Sequence, residues 1–580
     1  MEYKSQKVIC QNCKKAFDIE TEDFSFYEKI KVPPPTFCPE CRMIRRFAWR
    51  NERNLYKKLN SASQKGEEII SMYSPDSPYI VYDKGYWWSD KWNPLSYGKE
   101  YDFSRPFFEQ FDGLLKKVPL PYLQNMNSVN SQYSNYIESD KNCYLVFGTG
   151  FSENSRYLNR SSFSKESQDL LTSTRNELCF DLVDCFDCFN LISSENCTAC
   201  IDSRFLYGCR NCNDCFGCSN LFGKSYCFFN VQMERGEYLE KIKSFNLGNY
   251  SNYQKIKEKY EKEIKAPAIR RFANIYHSVN CTGNNIEKSK NSHDCFDVYT
   301  RSEDSRFSAH SLELKDNYDV YGNYNTELFY EGVDNNVGMN NLSAITVYSS
   351  NNCSYCFTCQ ASSHLFGCVG LRNKEYCILN KQYTKEEYEK LIPRIIEHMN
   401  KMPFVGEKGR IYGYGEFFPI EISPWAYNES IAQEYFPLKK EEISKMGYRW
   451  MDNKERNLTP DIRAEGLPEN ILDTEDNVLG KAIECEHHTK DNHPVFCGAS
   501  CTEGFKIIRD ELSFYRRMNL PLPRLCPNCR HYERLNRRNP MKLWHRKCMH
   551  EGCENEFETS YAPERPEIVY CEKCYQQEVY

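Results

Sequence analysis

Twelve of the 31 cysteines fall in short knuckles near the two ends of the chain. The first set is Cys10-Gln-Asn-Cys13 and, after 24 residues, Cys38-Pro-Glu-Cys41. Two residues between paired cysteines let one tight turn aim both sulfurs at one ion. Two such turns close a tetrahedral zinc shell and leave no place for water. A second set, Cys497, Cys501, Cys526 and Cys529, repeats the first at a constant offset of 488 from Cys13 onward. Phe17, Tyr27, Pro33, Pro35, Arg42, Arg46 and Arg50 recur as Phe505, Tyr515, Pro521, Pro523, Arg530, Arg534 and Arg538. The knuckle Cys497-Gly-Ala-Ser-Cys501 is one residue longer, so Cys485, His487, His488 and His493 compete with Cys497 for the fourth ligand position. A third set is Cys548, Cys553, Cys571 and Cys574, spaced C-x4-C and C-x2-C. About three structural zinc ions are expected from three four-ligand sets.

The repeated module resembles a zinc-ribbon family with C-x2-C, Phe, Phe-Tyr, Pro and C-x2-C-Arg. Here these are Cys10, Cys13, Phe17, Phe26-Tyr27, Pro35, Cys38, Cys41 and Arg42. The last module is similar to short ribbons carrying Arg-Pro and Tyr-Cys-x2-Cys-Tyr, here Arg565-Pro566 and Tyr570 to Tyr575. It departs from them in its first knuckle. The whole chain resembles bacterial cysteine-rich proteins with terminal zinc-ribbon domains, which implies an architecture and no activity.

A basic segment follows each main ribbon. Residues 42–58 hold Arg42, Arg45, Arg46, Arg50, Arg53, Lys57 and Lys58 against Glu52. Residues 530–547 hold Arg530, Arg534, Arg537, Arg538, Lys542, Arg546 and Lys547 against Glu533. Each is net +6 in a chain of net −6, leaving −18 for the remainder. Residues 42, 45, 46, 49, 50 and 53 fit one helical face. Trp49, Tyr56, Tyr532 and Trp544 are interleaved with the charges. Arginine forks grip phosphates and aromatic rings stack on bases. The expected nucleic-acid contacts are therefore Arg42, Arg45, Arg46, Arg50, Arg53, Arg530, Arg534, Arg537, Arg538 and Lys542, with RNA favoured over DNA. The competing reading pairs these arginines with the acidic remainder of the chain and uses the tryptophans for packing.

These modules must be held by the middle, which is repetitive. Cys179, Cys185, Cys197, Cys209, Cys215 and Cys227 are separated by multiples of six. Cys188, Cys200, Cys212 and Cys218 run three residues out of phase. Leu191, Leu206, Leu221, Ser194 and Ser203 fill the remaining slots. A hexad of small inward residues between polar turns predicts a parallel β-helix-like solenoid with cysteine as a small core hydrophobe. Residues 218–245 recur as 368–395 at an offset of 150, so the solenoid is duplicated. The run Cys209, Cys212, Cys215, Cys218 resembles a cluster-binding spacing, but only Cys359 and Cys368 recur in the second copy. Core filling is the expected role. GCSNLFGKS at 217–225 lacks a phosphate-loop glycine at Cys218 and reads as a turn.

The expected fold is mainly β with α segments, terminal zinc ribbons flanking a duplicated cysteine-ladder solenoid. The boundaries are a ribbon with its basic helix (1–60), an aromatic connector packed on the first coil (61–125), solenoid unit 1 (126–232), a helical segment (233–272) and solenoid unit 2 (273–383). A helix with aromatic connector (384–450), an acidic linker (451–482), the second ribbon (483–547) and the third (548–580) follow. The chain of 580 residues has a mean hydropathy of −0.72 and no long apolar run or leader-like start, so a cytoplasmic location is the default. Reduced thiols there favour metal over disulfides. No catalytic motif is evident. The functions expected are a zinc-stabilised nucleic-acid-binding protein, a protein-interaction scaffold using the tyrosine-rich solenoid, or a groove enzyme such as a carbohydrate-active β-helix.

Overall fold

The computed structural model describes residues 4–452, 458–487 and 500–579. Its middle is a parallel β-solenoid in two runs. Strands pair in parallel with the strand 12 residues ahead, as in Gln168↔Phe180, Leu182↔Ser194 and Leu206↔Cys218. Within each coil nearly every third residue has a positive φ, as at Asn142, Leu145, Phe151, Asn154, Tyr157 and Arg160. Each coil is thus four short sides joined by left-handed corners, and one residue per side points inward. The period is three per side and 12 per coil. The hexad seen in the cysteines is half a coil.

Left-handed corners cost non-glycine residues roughly 1–2 kcal/mol each, and Asn and Asp tolerate them best. This explains the Asn and Asp beside the slots. The inward residues offset the strain by pairing backbone groups at the corners. Ser164 donates its N–H to Ser152 Oγ on the previous coil at 3.2 Å. Leu191 does the same to Cys179 Sγ at 3.5 Å, while that thiol donates to the Glu177 carbonyl at 3.2 Å. Serine and cysteine are interchangeable here because each is small and both donates and accepts. Cys209, Cys212, Cys215 and Cys218 fill all four sides of one coil, and each thiol donates to a main-chain carbonyl. The core-filling expectation matches this geometry.

The second run breaks the period twice. Cys281 to Gly283 carries a register shift in its pairing with the next strand. A Cβ on Gly283, at φ +135°, would lie 1.8 Å from the Cys295 carbonyl oxygen, so only glycine fits. Phe296 then pairs with Ala309, a coil lengthened to 13 residues around Thr300 and Arg301.

Both runs end in an antiparallel hairpin, Cys227↔Gln232 and Cys377↔Gln382, which terminates the open sheet edge. Helices follow, Arg235–Lys243 and Tyr250–Tyr260 after the first run and Lys385–Lys401 after the second. The last begins with the Thr384/Glu387 capping box.

The aromatic connector touches both runs. It meets the first coil where Asn135 donates to Met72 Sδ at 3.7 Å, and packs an aromatic helix against the second run. The helix Phe107–Leu115 sets Phe107 against Tyr355 and Phe366, with ring centroids 5.2 and 5.3 Å apart. Lys99 N–H donates to the Leu379 carbonyl, and Asn380 to that of Pro94. Burial of these rings outweighs chain proximity. In the segment expected to be an acidic linker, Ala464, Leu467, Ile471 and Val478 are buried.

Candidate metal centres and the docked arginine helices

Three groups of four cysteines each bring their sulfurs within 4.8 Å of one another: Cys10, Cys13, Cys38 and Cys41; Cys485, Cys501, Cys526 and Cys529; and Cys548, Cys553, Cys571 and Cys574. Each is a closed all-thiolate set, suited to structural zinc. N–H groups point at the sulfurs. Cys529 and Cys571 donate to Cys526 and Cys548 Sγ at 3.4 and 3.2 Å, and Asn12 Nδ2 to Cys41 Sγ at 3.4 Å. Cys38 and Cys526 also stand at helix N-termini, where the dipole favours the thiolate.

Cys497, His488 and His493 lie outside the described residues. Within them, Cys485 completes the second tetrad, and its Sγ lies 3.7 Å from Cys529 Sγ. It reaches the site on the short strand Ile483–Glu484, which pairs with Gly504–Phe505. In the first ribbon the strands Gln6–Ile9 and Ala16–Ile19 are only a turn apart. The longer excursion between Cys485 and Cys501 hid this correspondence. Replacing Cys485 with Ser should lower the bound zinc from three ions to two by atomic absorption. Three retained ions would remove Cys485 from the site.

The arginines are placed unexpectedly. Helix Pro39–Phe47 is shorter than the predicted basic helix, ending before Trp49, Arg50 and Arg53. Arg42 and Arg46 are only 1% exposed, and Arg45 is 3% exposed. Arg42 pairs with Asp319 at 2.9 Å, and Arg46 with Asp319 at 2.8 Å and Glu331 at 2.9 Å. Arg45 pairs with Glu331 and Glu416, and Arg50 with Glu52 and Asp334 at 2.7 Å. Asp319 and Glu331 are left-handed corner residues of the second run, one coil apart. Burial would depress these guanidiniums, but the facing carboxylates push Arg42 and Arg50 well above the usual arginine value.

Helix Pro527–Asn536 repeats this on the first run. Arg530 and Arg534 each pair with Asp169 at 2.8 Å, and Arg537 with Asp181 at 2.5 Å. Arg538 joins Asp184 at 3.1 Å to Asp297 of the second run at 2.5 Å. The offsets agree for Arg42, Arg46 and Arg50, while Arg45 and Arg537 have no arginine counterpart, positions 533 and 49 being Glu533 and Trp49. Subtracting 150 from Asp319, Glu331 and Asp334 gives Asp169, Asp181 and Asp184, the partners of the arginines 488 residues on. The N-terminal ribbon therefore docks on the second solenoid run, and the C-terminal ribbon on the first. The smaller pairs Lys29–Asp316 and Arg517–Glu166 obey the same rule, both at 2.5 Å.

The two ribbons also meet each other. Arg53 donates to Asn528 at 2.8 Å and lies over the Phe147 ring, while Lys542, 50% exposed, approaches Glu40 at 3.2 Å. Of the ten residues expected to hold nucleic acid, Lys542 is the exposed cation. Eight of the nine arginines pair with corner carboxylates of the solenoid, and Arg53 is held by Asn528 and the Phe147 ring. Sequence reasoning had those carboxylates only as unspecified acidic surroundings. Their signal was the spacing of Asp169 and Asp181, and of Asp319 and Glu331, by one coil.

Near the centre, His310 is buried with Nδ1 3.0 Å from Asp297 and Nε2 2.9 Å from the Tyr435 hydroxyl. Burial holds its imidazole well below the usual histidine value. Arg160, Arg538 and Arg50 push the same way, and Asp297 opposes them. The folded state keeps His310 neutral where the unfolded chain is protonated. Its stabilising contribution is present above the unfolded value of about 6.5 and is lost as pH falls below it. The wild type should lose up to about 1.4 kcal/mol per pH unit more than His310→Gln below that point. Parallel stability curves between pH 6.5 and pH 5 would refute this.

No family model matches the chain, and no curated protein matches it. A solved structure from Desulfovibrio desulfuricans G20, a provisionally assigned acetyltransferase, aligns at 10% identity with a TM-score of 0.09, over 51% of this chain and 77% of that one. A likeness at that level carries no argument. Among the described residues, no helix is long and apolar enough to cross a membrane.

Proposed function

We propose that this protein is a metal-stabilised binding scaffold that engages a protein partner through the exposed rows of its solenoid. The observation that carries this reading is the inward use of the arginine helices, whose charges meet the solenoid's own carboxylates. A surface already neutralised within the chain has little left to offer phosphate, since salt-dependent nucleic-acid affinity comes from free cations. The solenoid keeps its own exposed features. Phe151 and Phe163 occupy one corner row on successive coils, stacked at 5.0 Å and about half exposed. Phe189 and Ile201 form a second exposed apolar step one row away. Asn130, Asn142 and Asn154 make an exposed amide ladder beside them, at 3.3 and 3.1 Å. Rigid aromatic steps next to regular amides suit a polypeptide partner, since buried aromatics dominate protein interfaces.

The test is capture from the native host with tagged wild type and a Phe151→Ser/Phe163→Ser variant, washed at low and high salt, with crosslinked nucleic acid sequenced in parallel. The reading expects a protein retained at high salt and lost in the variant. Enriched RNA crosslinked near residues 42–58 or 530–547 would overturn it in favour of nucleic-acid binding.

A further inference from the structure

One open side of the first run carries an ordered charge pattern. Between the corner row of Phe151 and Phe163 and the corner row of Asn130, Asn142 and Asn154 runs a single outward column. It reads Val129, Lys141, Glu153, Lys165, Glu177 and Phe189, each paired with the next one coil on. All are exposed except Glu177, which is half-buried. Lys141 and Glu153 form no ion pair among the described residues, and Lys165 reaches Glu177 only at 3.9 Å. The second run repeats the succession as Val279, Lys290, Glu303, Lys315, Glu327 and Met339.

Alternating charge along a column has a use within one chain, because opposite charges on neighbouring strands support the sheet. The column of the first run is also its own complement. Turned end for end about the midpoint between Glu153 and Lys165, it sets Lys141 over Glu177, Glu153 over Lys165 and Val129 over Phe189. The flanking rows follow the same operation. Phe151 falls over Phe163, Asn154 falls over Glu166, and no like charges meet in the three rows. Other placements fail. A shift of one coil sets Glu153 against Glu153 or Lys165 against Lys165. A shift of two sets Glu153 against Phe189 or Lys165 against Val129. A parallel arrangement sets every charge against its own kind. On the second run the same reversal opposes Asp304 to Asp316, and Arg301 and Glu313 stand 150 residues on from Phe151 and Phe163.

We propose that this face of the first run binds a second copy of the chain, antiparallel, about a two-fold axis passing between the coils of Glu153 and Lys165. The inference rests on the scaffold reading and names its partner. A two-fold contact uses one patch on both subunits, so the patch must complement itself. The stacked Phe151 and Phe163 rings, half exposed in one chain, are covered by the same pair from the other. Their burial supplies affinity, and the ion pairs beside them fix orientation and register.

Sedimentation velocity of the full-length zinc-loaded protein over a concentration series tests this. The wild type should form a dimer. Glu153→Lys and Lys165→Glu, both at exposed positions, should each weaken self-association roughly tenfold or more, because like charges then meet across the axis. An equal mixture of the two variants should recover the dimer, since each new lysine then faces a new glutamate. No intrachain role of the column predicts that recovery. Phe151→Ser/Phe163→Ser should abolish the dimer, and Glu303→Lys, the matching change on the second run, should leave it intact. A monomer at every concentration overturns this inference alone; the scaffold reading then stands or falls on the protein captured from the host. A dimer that the mixture fails to recover, or that Glu303→Lys weakens equally, also overturns it.

Discussion

Cys41→Ser should release one of the three metal ions and loosen the second solenoid run, not the first. Structural zinc contributes roughly 10–16 kcal/mol in isolated zinc-finger peptides at neutral pH, so losing one ligand removes most of what orders the ribbon. The helix Pro39–Phe47 begins at Cys38 and carries Cys41, Arg42, Arg45 and Arg46. Once its first turn is no longer fixed by metal, those arginines lose their aim at Asp319 and Glu331. Hydrogen–deuterium exchange should rise in the coils containing Asp319, Glu331 and Asp334. The coils around Asp169 and Asp181 stay protected, because they are held by the other ribbon. Cys529→Ser should give the opposite pattern. Exchange rising around Asp169 and Asp181 while the coils of Asp319 and Glu331 stay protected would contradict crossed docking.

The second large effect comes from the carboxylates. Asp319→Ala leaves Arg42 and Arg46 buried without a shared partner, although Glu331 still faces Arg46. Removing one member of a buried ion pair costs about 3–5 kcal/mol, because a desolvated charge remains. Urea denaturation should show a loss of that size. The combined replacement Arg42→Met/Arg46→Met/Asp319→Leu should recover most of it, since apolar groups of similar volume satisfy the same space. A loss under 1 kcal/mol in Asp319→Ala would mean that water reaches the site and that the ribbon is only loosely seated.

The parts of this arrangement readable from sequence are those written in short-range spacing. Two-residue gaps between cysteines predict the knuckles, and two interleaved six-residue phases between Cys143 and Cys227 predict stacked coils. The triad remained hidden because cysteine occupies only some inward slots, while Ser, Leu, Val and Asn fill the others. Physically these are one class, small enough for the narrow interior or able to hydrogen-bond its corners. The pairing of Cys485 with Cys501 was weighed as an alternative but not chosen, because knuckle spacing favoured Cys497. For the arginines the sequence leaves two readings open, phosphate and the acidic remainder of the chain. Charge density and interleaved aromatics look the same whether the partner is phosphate or a row of carboxylates on the same chain. The internal repeats carry the signal, because offsets of 488 and 150 map Arg42, Arg46 and Arg50 and the acids Asp319, Glu331 and Asp334 onto Arg530, Arg534 and Arg538 and Asp169, Asp181 and Asp184. Only three-dimensional proximity shows that the pairs form crosswise.

The most direct test of crossed docking is zero-length carbodiimide crosslinking of the zinc-loaded monomer, read by mass spectrometry. Lys29 and Asp316 form an accessible pair at 2.5 Å between the N-terminal ribbon and the second run. Glu166 is the matching acid on the first run, paired here with Arg517, which the reagent does not couple. Crossed docking predicts a Lys29–Asp316 crosslink and none between Lys29 and Glu166. A Lys29–Glu166 crosslink in its place would show that each ribbon sits on its own sequence neighbour.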